Sequence, residues 1–498
     1  MRPLKHCTIL AAPIFLLAGQ TLAETPLDGI QDLSFGGNGL ASISFNLAAG
    51  HTDDAQDVVV SPSGSIYMAA TVGISVQVRR GGGSAWPGLL ADGRLDNTFS
   101  SDGLSSPSPA ALNEFHAEAR GLAVRADGKP IVAGFRYSTN LEGKILVCRF
   151  NVAGNLDSTF DSDGCAEPTL ALIDNGGEFA KAVVAMPQDR ILVAGHVAVN
   201  PLNTNHSDGL LLMLNSDGSI ANGFGTQGHV LVRPPVATMT FVQDVEVLPD
   251  GRLLAFGRSD VSSFVARFDA NGLIDTSYGV DGYALFDFGD LHMLSNPEEL
   301  LADGAVDAEG RAYWCGNVRS DFNIALSVLA LARLTPAGML DPAYSGDGRF
   351  LAPFIDVLQN SNVAACKIDT QGRLVVAANP GTDAPLNGDF GALRLGTDGL
   401  PDLSFNSIGQ TRVSIDLGGN GVGHDEISGM ALMGDSVFLA GTSHPVNGFS
   451  QNEKLIMVRL ATDRTFADGF GLIRWAHETQ ESFRVRRACC SIGRASGK

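Results

Sequence analysis

The stretch LDSTFDSDG, residues 156–164, decides how the chain is read, because Asp161, Asp163 and Gly164 spell D-x-D-G. Alternating carboxylates followed by a turning glycine open a calcium loop, in which oxygen ligands wrap a hard cation. The same frame recurs as DLSFGGNG (32–39), DNTFSSDG (96–103), ANGFGTQG (221–228), DTSYGVDG (275–282), DPAYSGDG (341–348) and DLSFNSIG (402–409). In register, Asp161 is matched by Gly36, Ser100, Gly225, Gly279, Ser345 and Asn406, and Asp163 by Asn38, Asp102, Gln227, Asp281, Asp347 and Ile408. A position that accepts Ile and Gln is not built to ligate calcium. The aromatic and the closing glycine, kept in all of these copies, are what a packed turn requires. The stretch is a structural connector.

A degenerate copy, ADGFG (467–471), ends the series, and the aromatic positions are spaced by 64, 61, 64, 54, 66, 61 and 65 residues. Between connectors lies a hairpin signature, an apolar run, a glycine-centred turn and a second apolar run. VVVSPSGSIYMAA (58–70), LAVRADGKPIVAG (122–134) and VEVLPDGRLLAFG (245–257) are three of its seven copies. Glycine supplies the positive φ of such a turn without steric cost. Adding strands such as VARF (265–268) and the run after each connector gives about four strands per unit. Seven such units predict an all-β fold, a seven-bladed β-propeller of four-stranded blades. A right-handed β-solenoid is the rival architecture, but its coils are shorter than these units. A ring also removes exposed sheet edges, and DLSFGGNGLASISF (32–45) is expected to supply the strand that the last unit lacks.

The two linked motifs resemble the delta-60 repeat family of bacterial propeller proteins, whose units run apolar-DGK-apolar-AG, an AR-aromatic strand, then LD-x-S-F-G-x-x-G. The resemblance covers residues 27–471. It implies surface or secreted repeat proteins and carries no general activity with it. Two units depart from the pattern: VRRGGGSAWPGLL (78–90) replaces the AR-aromatic strand of blade one, and blade three has LLML (211–214).

The chain begins MRPLKHCTILAAPIFLLAGQTLAETP. Arg2 and Lys5, an apolar core from Ile9 to Ala18 and the small residues Thr21-Leu22-Ala23 predict a signal peptide over 1–23. The apolar run is too short to span a bilayer. A secreted or periplasmic location follows, with the propeller over 24–471 and a basic, unstructured tail over 472–498. The formal net charge of −20 becomes −22 on loss of Arg2 and Lys5. Such a surface repels phosphate backbones and anionic lipid, which argues against nucleic acid and membrane insertion. The expected assembly state is a monomer.

Arg149, Arg267, Arg333 and Arg394 each precede an aspartate, Asp157, Asp275, Asp341 and Asp402, by eight residues across a turn. Blade three loses both members, having Met213 and Ala221, while blade one keeps only Asp96 and blade seven only Arg459. Joint retention and joint loss mark a structural ion pair. In an oxidising compartment disulfides form. Cys148 and Cys165 flank one connector, a candidate bridge within a blade, and Cys315 and Cys366 sit in consecutive hairpins, a candidate bridge between blades. Buried free thiols are the alternative for Cys315 and Cys366.

Catalytic motifs are absent from the sequence. GFGTQG (223–228) matches the dinucleotide fingerprint by letter, but it precedes a strand, not the helix that fingerprint needs. No H-E-x-x-H or G-x-S-x-G occurs. The functional lead is positional: Asp54, Glu118, Glu178, Glu299 and Asp425 precede the hairpins, with His51, His116 and His424 nearby. If the first strands line the channel, these residues gather at one mouth as a ligand or cation rim, calcium being the cation considered. Solvated acidic loops are the competing reading. The expected function is a scaffold that binds a protein, glycan or surface ligand. The alternatives are a hydrolase or lyase with a metal or acidic site at the channel mouth, and a structural surface protein without a ligand site.

Overall fold

The computed structural model describes residues 28–44, 51–74, 83–100, 102–105, 117–137, 142–170, 172, 177–198, 206–289, 297–320, 323–352, 361–380, 389–415, 424–444 and 453–461. The expected signal peptide, the basic tail and the degenerate connector at 467–471 lie outside these residues. Among the described residues the chain forms six four-stranded antiparallel sheets and one five-stranded sheet. The first strands of the blades are His51–Val60, Ala117–Val124, Glu178–Ala185, Thr240–Val247, Pro297–Val306, Asn362–Ile368 and His424–Met433. Each contacts the first strand of the next blade and the last contacts the first, so the ring is closed with these strands innermost. This is the seven-bladed propeller the repeat predicts. The unusual 78–90 stretch of blade one still yields a third strand, Gly83–Leu89.

Closure uses the N-terminal segment. Ile30–Gln31 and Leu40–Ile43 both pair with Lys454–Ala461, completing blade seven from the opposite end of the chain. Blade seven therefore joins residues more than 400 positions apart, as in Leu40 opposite Val458.

The connectors explain what joins one blade to the next. The residue after each aromatic has positive φ: Gly36, Ser100, Asp161, Gly225, Gly279, Ser345 and Asn406. That turn aims its backbone N–H at a carbonyl of the following blade. Gly36 donates to Asp92, Ser100 to Ala153, Asp161 to Asp217, Gly225 to Asn271, Gly279 to Ala337 and Ser345 to Asp398. Asn406 donates to Asp28 of the N-terminal segment, completing the cycle. The aromatic ring fills the space beside this bond. At the Tyr278 contact the opposing Gly338 (φ +80°) is required, because a Cβ there would lie 2.9 Å from the ring. Asp161, the residue that suggested calcium, is one of these latches.

The arginines reinforce the same joint. Arg149, Arg267, Arg333 and Arg394 pair with Asp157, Asp275, Asp341 and Asp402 at 2.8–3.1 Å. Each guanidinium also lies 4.6–4.8 Å from the connector ring of its own blade. Its outer nitrogens reach onward: Arg149 to Ser216 O, Arg267 to Pro336 O, Arg333 to Thr397 O and Arg394 to the Asp28 carboxylate. The sequence left Arg459 of blade seven without an aspartate. Ring closure delivers one, since Arg459 pairs with Asp32 at 2.6 Å, covers Phe35 and donates to Ala91 O of blade one.

Apolar packing fills the space between blades. Phe256, Tyr278, Phe288 and Trp314 belong to one buried cluster of blades four and five. The Cys148 and Cys165 sulfurs are 2.10 Å apart within blade two, and those of Cys315 and Cys366 are 2.13 Å apart between blades five and six.

Arg333→Ala removes one of the two most buried of these guanidiniums (1% exposed, like Arg394) and strands Asp341. Breaking a buried pair costs about 3–5 kcal/mol, so a melting temperature lower by several degrees is expected in differential scanning calorimetry. An unchanged transition contradicts the clamp.

Candidate functional site at the channel mouth

All seven first strands carry a bulge. Register shifts fall at Ala55/Asp57, Ala119/Gly121, Ala180/Ala182, Val242/Asp244, Leu301/Asp303, Val363/Ala365 and Ile427/Gly429. An inserted residue breaks strict two-residue alternation and turns two successive side chains to one face. Burial in blade three shows the result: Glu178, Ala180 and Val183 are buried, whereas Phe179, Lys181, Ala182 and Val184 are half-buried, Ala182 and Val184 packing against the cluster shared with blade four. The bulge residues themselves are Gln56, Arg120, Lys181, Gln243, Ala302, Ala364 and Ser428. Two positions earlier stand Asp54, Glu118, Phe179, Phe241, Leu300, Asn362 and Glu426.

This register divides the acidic rim expected from sequence. Asp54 and Glu118 stand two positions before their bulges and are half-buried, but Glu178, Glu299 and Asp425 are one position earlier in register and lie on the opposite face of their strands. A one-residue offset reverses the side-chain direction. Glu178 (3% exposed) and Asp425 (2%) are accordingly buried. Glu299 accepts hydrogen bonds from Ser263 Oγ and Phe288 N, tying blade four to blade five. Burial pushes the Glu178 carboxyl up to about 7. His116 lies outside the described residues, and of His51 and His424 only the backbone is described. Among the described residues no group of three or more His, Cys, Asp or Glu side chains could hold a metal ion.

Three sets of side chains are brought together instead. At the junction of blades seven and one, Asp54 accepts from Thr442 Oγ1 (3.2 Å) and Gln56 Nε2 (3.0 Å), and His444 Nδ1 lies 3.0 Å from Glu453. Burial and then Glu426 raise the Asp54 carboxyl, while Glu453, Asp54 and Glu426 raise His444 against its own desolvation.

Deeper in the channel, Asp57, Asp244 and Asp303 follow their bulges directly. Each carboxylate accepts a backbone N–H of the next blade: Leu122 at 2.8 Å, Gly304 at 3.1 Å and Cys366 at 2.8 Å. Lys367 Nζ lies 3.2 Å from Asp303. Its side chain keeps 39% of its surface exposed. Burial pushes Asp57 up to about 7, and burial followed by the neighbouring carboxylates raises Asp244 and Glu246.

The third set spans blades two to four. Tyr137, Phe135, Phe179, His196 and Phe241 form a continuous ring track, with successive centroids 5.6, 4.9, 5.1 and 5.0 Å apart. Arg120 lies over Phe135 at 5.6 Å and Arg258 over Phe241 at 4.9 Å. Arg120 contacts Glu118 and donates to Gln56 of blade one (3.2 Å). Arg258 approaches Glu298 at 3.5 Å.

None of this set was singled out from sequence. Its signal is departure from the repeat: the bulge row holds cations in blades two and three alone, and the row before it holds phenylalanine in blades three and four alone. Reading the strands with unbroken alternation hides both rows.

Two stretches, 125–160 and 248–278, match a family model described as a domain of unknown function (DUF5122) beta-propeller. Each runs from a hairpin to the connector aromatic of its blade, Phe160 or Tyr278, so the match supports a bacterial β-propeller repeat family. No curated protein matches the chain. Among solved structures, a protein of unknown function from Dyadobacter fermentans DSM 18053 is 11% identical, over 84% of this chain and 99% of that one, with a TM-score of 0.41. The polysaccharide lyase Uly1 is 11% identical, over 88% of this chain and 97% of its own, with a TM-score of 0.45. The Trypanosoma rangeli sialidase in complex with 2,3-difluorosialic acid is 9% identical, over 87% and 59%, with a TM-score of 0.41. Likenesses of this order leave the assignment of the fold to the strand pairing and say nothing of activity.

Asp57 gives a titration with a defined sign. Its folded value of about 7 stands above its ordinary 3.8, so the folded state binds the extra proton. The stability it contributes is complete below about pH 4 and is lost as pH rises through about 7. Asp57→Asn is expected to flatten the fall in melting temperature between about pH 4 and 7 relative to the parent. Identical pH profiles contradict the assignment.

Proposed function

We propose that the protein is an exported β-propeller scaffold of the delta-60 kind that binds a glycan or protein ligand at the strand-entry mouth of its channel. The observation that carries this reading is the ring track from Tyr137 to Phe241 with Arg120 and Arg258 over its members. These residues occupy repeat positions that other blades fill with unrelated side chains, so the blade does not demand them. The clamps that hold the ring lie at the connectors, which leaves the mouth free to vary. Half-buried aromatic faces beside fixed cations offer stacking and charge pairing together, the combination that recognition sites use.

A hydrolase or lyase is the second reading, and one observation favours it. Asp57, with its carboxyl raised to about 7, shares the channel with Asp244, Glu246 and Lys367. A carboxyl poised near neutrality suits general acid–base chemistry, although Asp57 also holds Leu122 N.

The two readings separate on a panel of bacterial surface polysaccharides and proteins, probed by array binding and by product analysis. Binding without turnover is expected, weakened at least about tenfold by Phe241→Ala, a loss of roughly 1.4 kcal/mol. Turnover abolished by Asp57→Asn contradicts the scaffold and favours the enzyme.

A further inference from the structure

We propose that the arc of blades two to four at the channel mouth is a binding site for a carboxylate-bearing ligand, held by Arg120 and Lys181 with its body against Phe179 and Phe241. The inference rests on the scaffold reading above and names the class of ligand.

The first argument is charge. The whole chain carries −20, yet here Arg120, Lys181 and Arg258 converge from three consecutive blades, and Lys181 lies within electrostatic reach of both guanidiniums. Glu118 answers Arg120, while Glu298 is shared between Arg258 and Arg319. Among the described residues Lys181 has no anionic partner of its own. Burial and then the charges of Arg120 and Arg258 push its ammonium down to about 8. Glu118, already engaged by Arg120, offsets that repulsion only in part, and an anion at this point relieves the rest.

The second argument is unfilled hydrogen-bonding capacity. Arg120 Nε and His196 Nδ1 are buried and have no hydrogen-bond partner among the described residues. Burial, followed by Lys181 and Arg258, pushes His196 down to about 3, so the imidazole is neutral at pH 7. It therefore adds no charge to the arc and remains able to donate or accept one bond.

The third argument is shape. Phe179 stacks on His196 at an interplanar angle of 18°, and Phe241 meets that ring edge-on at 71°. Both phenylalanines are half-buried, which leaves apolar surface toward the channel beside the cations. Sugar C–H faces and aromatic rings both suit such a surface, and an acid sugar or an aromatic acid adds the carboxylate. Bulge positions elsewhere in the ring hold Gln56, Gln243, Ala302, Ala364 and Ser428, so the cations serve no need common to the blades.

The test is isothermal titration calorimetry of the full chain at low ionic strength with D-glucuronate, benzoate and the neutral control D-glucose. Saturable binding of glucuronate or benzoate is expected, in the millimolar range or tighter, with none for glucose. Preference between the two acids tells whether the body is a sugar or an aromatic ring. Lys181→Met is expected to weaken binding at least about tenfold and Lys181→Arg to retain it. Affinity should fall between about pH 7 and 9 as Lys181 loses its proton in the face of Arg120, Arg258, Glu118 and neutral His196. Lys181→Met removes a repelled cation, so its melting temperature should not fall, which separates binding from folding. Failure of both acids to saturate, or equal binding by Lys181→Met, overturns the proposal. Array binding of a neutral glycan that survives Lys181→Met leaves the scaffold reading standing and removes this one.

Discussion

One hydrogen bond, repeated seven times, organises the molecule: the N–H after each connector aromatic donates to a carbonyl of the next blade. A propeller blade is a sheet with two apolar faces, and without a neighbour both are exposed. Apolar packing between blades is strong but non-directional, so it does not by itself fix the angle between sheets. The positive-φ residue does, because only that conformation points its N–H across the gap while leaving the ring inside it. Glycine, Asn, Asp and Ser fill the position, types that enter this conformation at lower cost or hydrogen-bond locally. Where an arginine is present, it ties the connector's own aspartate, ring and neighbouring blade into one joint.

The same joint accounts for the N-terminal segment. A ring needs seven joints for seven blades, and the N-terminal segment takes part in the last two. Asp28 receives Asn406 N and Arg394, while Asp32 receives Arg459 and Gly36 N reaches Asp92. Closure is thus the repeat's own chemistry performed by a distant stretch of chain. The bulges of the inner strands bring a second, channel-side set of latches, Asp57, Asp244 and Asp303, each on the backbone of the next blade. With blade angles held from both sides, the strand-entry mouth is free to carry residues chosen for other reasons.

The architecture was legible because its determinants are local and repeated. The aromatic at a spacing near 60 residues, the glycine closing the turn and the Arg/Asp separation of eight all survive in single copies of the motif. Even the lone Arg459 pointed to a missing partner, though naming Asp32 required the closed ring. The site was legible only in part. Asp54 and Glu118 stay half-buried near the bulges, but Glu178, Glu299 and Asp425 turn to the other face because they stand one residue away in a period-two strand. Lys181, Arg120 and Phe241 escaped notice because a bulge leaves no letter in the sequence, and because a site made of exceptions is invisible to a search for recurrence. His444 and Glu453 meet across two strands whose pairing periodicity alone does not give.

The central claim is that blade-to-blade joints, including the one borrowed from the N-terminus, hold the ring shut. Native-state hydrogen exchange on Arg459→Ala tests it most directly, since that change breaks the joint between blades seven and one and leaves the others intact. The account predicts faster exchange confined to Ile30–Ile43, Lys454–Ala461 and the first strand of blade one, with blades three to five protected as in the parent. Uniform acceleration through all blades, or no change at the closure, would contradict it.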